Sequence, residues 1–135
     1  MRHVISSLLL VGATLSVGPV RAAQTPQSLE YETFCKIADV EQRRAAFVAA
    51  TPENRATLVR TQLERWRDAN KARLNAKQLD LLANLIALAT PEAYGPKAAE
   101  ARAKMRPLEE AMSQLFTRDE IEAMQPSGPC IAKVK

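Results

Sequence analysis

The stretch Leu74-Asn75-Ala76-Lys77-Gln78-Leu79-Asp80-Leu81-Leu82-Ala83-Asn84-Leu85-Ile86-Ala87-Leu88-Ala89 decides the fold class. It opens with two helix-start signals at once. Asn75 and Gln78 have the spacing of a capping box, and Leu74 and Leu79 stand where a hydrophobic staple needs them. Behind the cap, Leu79, Leu81, Leu82, Leu85, Ile86 and Leu88 occupy most of a helical circumference. That pattern predicts a buried, central helix over 76–89.

Working outward, the same cap chemistry recurs. Asp39 with Gln42 opens a helix of about three turns ending near Ala50, and helix could start earlier, near Leu29. Thr51-Pro52-Glu53 supplies a cap, a proline at the first helical position and an acid in the first turn. It predicts a helix from Pro52 to about Ala72, with Ala56, Val59, Leu63 and Trp66 as its apolar stripe. Thr90-Pro91-Glu92 repeats that start. Gly95-Pro96 interrupts, a helix follows from about Lys97, and Pro107 should kink or divide it. Thr117 with Glu120 forms a last capping box, stapled by Phe116 and Ile121, and its short helix ends near Met124. Good helix formers dominate and strand signals are almost missing. The expected fold is all-α, a compact bundle of five or six helices around 76–89.

At the start of the chain, Met1-Arg2-His3 precedes an apolar run from Val4 to Val17, the breaker pair Gly18-Pro19, and Val20-Arg21-Ala22. A basic start, a short apolar core and small residues before a cut describe a secretory signal peptide over 1–22. The run falls short of the roughly 20 apolar residues of a membrane span. The remaining single helical domain, 23–135, has 17 basic and 15 acidic groups, a net charge of +2. That balance does not favour nucleic acid, whose binders carry a concentrated basic footprint. No later stretch reads as a stable membrane span, and the expected localisation is periplasmic or secreted.

Cys35 and Cys130 lie near the two ends of this domain. In an oxidising compartment an isolated pair reads as a structural disulfide. Gln125-Pro126-Ser127-Gly128-Pro129 is a turn-rich tail that brings Cys130 back to the body. No Cys-x-x-Cys spacing argues for redox catalysis.

Catalysis has little to work with. The one histidine, His3, lies in the segment expected to be removed, so Ser-His and Cys-His nucleophile pairs are excluded. Glu109, Glu110, Asp119, Glu120 and Glu122 are the candidate carboxylates for acid/base work. The first two point about 100° apart on a helix, and the others cluster in a first helical turn, where acids are favoured anyway. Calcium-loop spacing and a glycine-rich phosphate loop are both missing. The expectation is a non-enzymatic protein with no cofactor and no metal.

The most distinctive surface is on the helix from Pro52. Between Arg43 and Lys77 nine basic residues face only Glu53, Glu64 and Asp68. Arg60, Arg67 and Lys71 project to one shoulder of the apolar stripe, Arg55 and Arg73 to the other, with Trp66 between them. One reading is a binding face for a protein or an anionic envelope component, since arginine suits carboxylate and phosphate groups. The other has the arginine stems cover the edge of the core with their heads in water, and Trp66 as a core anchor.

Four elements carry a family resemblance. Phe34-Cys35 before a helix start, Leu74-Asn75-x-x-Gln78, Thr90-Pro91-Glu92-x-Tyr94, and Leu115-Phe116-Thr117-x-x-Glu120 before a final Cys are similar to the small exported helical proteins called fulvocin C-related. That resemblance implies a link to bacteriocins and brings no catalytic residues. Leu74-Asn75-Ala76-Lys77-Gln78 also resembles the Leu-Thr-x-x-Gln signature of the Spy/CpxP periplasmic chaperones, which implies a holdase. Asn75 stands where that signature has Thr, the second copy is reduced to Phe116-Thr117-Arg118-Asp119-Glu120, and a disulfide is not part of the pattern.

Overall fold

In a computed structural model, residues 30–135 are described. The export segment expected over 1–22 lies outside them. Among the described residues six α-helices follow in order: α1 Tyr31–Cys35, α2 Val40–Ala49, α3 Pro52–Asn70, α4 Ala76–Leu88, α5 Ala98–Leu115 and α6 Arg118–Ala123. Two short 3-10 turns, Lys71–Arg73 and Pro91–Tyr94, complete the chain order. Among the described residues there is no strand, and no helix is long and apolar enough to cross a membrane.

The caps form as their spacing dictates. Asn75 accepts from the Gln78 amide and Gln78 accepts from the Asn75 amide, both at 2.9 Å. Thr117 and Glu120 make the same reciprocal pair. Asp39 accepts from the Gln42 amide at 2.9 Å and Thr51 from the Asn54 amide at 3.2 Å. Gln78 does more than cap. Its Nε2 donates to the Leu115 carbonyl at 2.9 Å, which fixes the start of α4 against the end of α5.

Two expectations change. Thr90-Pro91-Glu92 opens only the four-residue 3-10 turn Pro91–Tyr94, and Thr90 makes no side-chain cap. Gly95-Pro96 arrives before a full α-turn can propagate, so the start has nothing to extend into. Conversely, α5 is undivided at Pro107. Pro107 and Ala103, whose carbonyl loses its amide partner, are both exposed, so water takes the place of the missing bond.

The main core gathers Leu63 and Trp66 of α3, Leu81, Leu82 and Leu85 of α4, and Leu74, Phe116 and Met124 from the connections. The staple residues Leu79 and Ile121 pack on the same cluster. Ala83, Asn84 and Ala87 of α4 are exposed, so its apolar coverage is a face and not a full circumference. The long α3 shares the centre. It buries Ala56, Leu58, Gln62, Leu63 and Trp66, and its Leu58 seats a second cluster with Tyr31 and Phe34 of α1. Two apolar clusters on one helix make α3 the spine that joins both ends of the domain.

The disulfide Cys35–Cys130 ties the tail to α1, with the Cα atoms 5.8 Å apart. Gly128 fits where no side chain could. A Cβ there would lie 2.7 Å from the Glu122 carbonyl oxygen and 3.0 Å from that of Ala123. Both obstacles are backbone, so Gly128→Ala must push the tail off the end of α6. A loss of about 1–3 kcal/mol is expected in urea denaturation.

Candidate functional site

Several of the residues singled out on α3 and the turn after it bind other parts of the chain. Arg55 Nε donates to the Ala50 carbonyl at 2.9 Å, and Arg60 Nη1 to the Ala89 carbonyl at 3.1 Å. Those carbonyls terminate α2 and α4, where the helix dipole and an orphan acceptor both favour a cation. Arg67 pairs with its neighbour Asp68 at 3.0 Å. Arg73 lies 2.9 Å from Glu120 Oε2, and its guanidinium stands 5.5 Å from the Trp66 ring. Trp66 is 4% exposed and meets Phe116 edge-on at 5.7 Å between centroids. Lys71 is exposed, and its ammonium alone of the six has no partner among the described residues. Arg60→Glu should therefore cost stability, about 1–2 kcal/mol by thermal denaturation, because the end of α4 loses its donor.

A polar clasp that the sequence reading did not identify grips the tail. Gln62 is 1% exposed. Its Oε1 accepts from the Tyr31 hydroxyl, while its Nε2 donates to the Ala123 carbonyl at 2.8 Å and the Pro129 carbonyl at 3.1 Å. The Tyr31 oxygen in turn accepts from the Ile131 amide at 3.1 Å. Arg65 lies over the Tyr31 ring, pairs with Glu32 and donates to the Ile131 carbonyl at 3.0 Å. Arg43 donates to the Ser127 carbonyl at 3.0 Å. Four side chains from three helices thus replace the secondary-structure partners the tail lacks.

The carboxylates are dispersed. Glu120 serves its cap and Arg73, and Glu122 pairs with Arg118 at 3.4 Å. Asp119 and Glu122 border a surface depression with Arg44. Glu110 is exposed, and Glu109 belongs to a different cavity. The Thr117 amide, and then Arg73, hold the Glu120 carboxyl below its usual 4.5. Its folded value is depressed, so its contribution is present above pH 4.5 and is lost as pH falls through the lower folded value. Acid titration of the melting temperature should show a fall below pH 4.5 that Glu120→Gln makes shallower. Among the described residues no three His, Cys, Asp or Glu side chains converge as metal donors.

An apolar cavity of about 290 Å³ lies between α3, α4 and α5, walled by the first residues of the tail. Val59 and Leu63 of α3 and Leu85 of α4 form its floor, together with Met105 and Met112 of α5 and Met124. Phe47 and Tyr94 border it as an edge-to-face pair, 6.1 Å between centroids. Burial raises the Tyr94 hydroxyl above its ordinary value of 10.0, against the opposing charge of Arg55, so Tyr94 is neutral at physiological pH. The polar side chains lining the cavity beyond that hydroxyl are Glu109 and Gln125. Three thioethers make the wall adaptable, because methionine is unbranched and polarisable. The sequence reading named none of these lining residues as binding groups except Glu109, and that one as a candidate acid. No family model matches the chain, and neither a curated protein nor a solved structure matches it.

Proposed function

We propose that the chain is an exported, non-enzymatic binding protein whose working site is the methionine-lined cavity. One observation carries this reading: an apolar concavity of ligand size, about 290 Å³, with few polar groups at its border. Export is supported by the amino-terminal sequence pattern and by the Cys35–Cys130 bond, which belongs to an oxidising compartment. The similarity to fulvocin C-related proteins agrees with an exported role and adds no substrate.

A holdase of the Spy kind has less support. Shielding unfolded clients calls for extended apolar surface. Among the described residues the exposed large apolar side chains are Val40, Val48 and Val134, scattered over α2 and the tail. An anionic partner on α3 finds most of the arginines already committed to carbonyls and carboxylates.

Phenylbutanol, a neutral arylalkyl alcohol, tests the cavity. Titrated into the oxidised full domain with labelled methionine methyls, it should shift Met105, Met112 and Met124 saturably. Shifts that never saturate, or none at these three methyls, would overturn the reading.

A further inference from the structure

We propose that the cavity is selective for hydrophobic cations: an amine or quaternary ammonium head carried on an aryl or alkyl body, with the head on Glu109. This rests on the cavity being the working site, and it adds the charge of the ligand.

The electrostatics of the wall are simple. Eleven residues line the cavity and Glu109 is the one charged residue among them. Glu109 is exposed and makes neither an ion pair nor a hydrogen bond among the described residues. Other carboxylates without an ion pair, such as Glu110 and Asp119, lie outside this cavity, so Glu109 is set apart by its place at the apolar border and not by lacking a partner. A carboxylate left open at the border of an apolar concavity is complementary to a cation whose body fills that concavity.

The remaining lining agrees with such a ligand. Neutral Tyr94 and Phe47 supply aromatic surface, which tolerates and attracts a nearby cation. Met105, Met112 and Met124 offer thioether surface that follows an alkyl or aryl body without a fixed shape. Arg102, Lys104 and Arg106 share α5 with Glu109 but do not line the cavity, which leaves Glu109 as the charged group of its wall. An anionic amphiphile of the same shape would set its charge against Glu109, and Arg55, whose charge reaches Tyr94, lies outside the lining with its Nε on the Ala50 carbonyl.

The test uses three isosteric probes on the oxidised full domain: phenylbutylamine, phenylbutanol and phenylbutyrate, each titrated by calorimetry and by methionine methyl shifts. The amine should bind about fivefold tighter than the alcohol, and the alcohol tighter than the acid, the size expected of one border ion pair. Glu109→Gln should remove the preference, so that amine and alcohol bind the variant with equal affinity. Glu110→Gln, at the exposed neighbour outside the cavity, should retain it. Equal binding of all three probes would overturn cation selectivity and leave the cavity reading standing. So would a preference that survives Glu109→Gln, or one that Glu110→Gln removes equally. Failure of the alcohol as well as the amine would remove both.

Discussion

Replacing Cys35 and Cys130 by serine should lower the stability of the domain by about 4–5 kcal/mol, the largest effect expected of any change at two positions. The crosslink spans a sequence separation of 95 residues, so the denatured chain gains nearly the whole domain's loop-closure entropy when it is cut. The folded chain loses as well. Once Cys130 is free, residues 125–131 depend on the clasp of Gln62, Tyr31, Arg65 and Arg43 alone. Urea denaturation of oxidised and serine-substituted protein measures the difference. Amide exchange should locate the loosened part at Gly128 and Ile131, whose amides donate to the Gln125 carbonyl and to Tyr31. A loss below about 1 kcal/mol would show that the tail contributes nothing to the native state.

Gln62→Leu is the second large effect. The substitution conserves volume and takes the acceptor from the Tyr31 O–H and the side-chain donor from the Ala123 and Pro129 carbonyls, while the Tyr31 oxygen still accepts from the Ile131 amide. Each buried orphan costs about 1–3 kcal/mol, and some recover water at the tail, so a total near 3 kcal/mol is expected in thermal or urea denaturation. The effect should shrink in the Cys35→Ser, Cys130→Ser background. There the tail is already loose, and two changes acting on one element do not add. Full additivity would mean that the clasp and the crosslink stabilise different parts of the fold.

The helices and their ends were legible because each is written in adjacent residues. Asn75 and Gln78, or Thr117 and Glu120, need only three residues of separation to find each other, and both boxes form. The disulfide was legible because two cysteines permit one pairing. Whether Pro107 divides its helix and how far the Thr90 start extends depend on solvent exposure and on how soon the next breaker comes, which a local pattern does not weigh. The clasp could not be read. Tyr31, Gln62 and Ile131 lie far apart in the chain, and a glutamine inside an amphipathic helix looks like a surface residue until the tail covers it. The cavity was hidden for a similar reason. Met105 and Met112 carry no signal of their own in sequence, and only their meeting with Met124, Phe47 and Tyr94 makes a concavity. The arginines of α3 are conspicuous in sequence, but the Ala50 and Ala89 carbonyls that Arg55 and Arg60 reach at the ends of α2 and α4 become visible only in the fold.

The most direct measurement is phenylbutanol affinity in the oxidised domain with and without Met112→Trp, a substitution that fills the cavity from α5 while adding apolar volume. With circular dichroism showing the same helix content in both proteins, the expected result is saturable binding that weakens at least about tenfold in the variant. Equal affinity in the two would place the ligand elsewhere and contradict the cavity as the site of function.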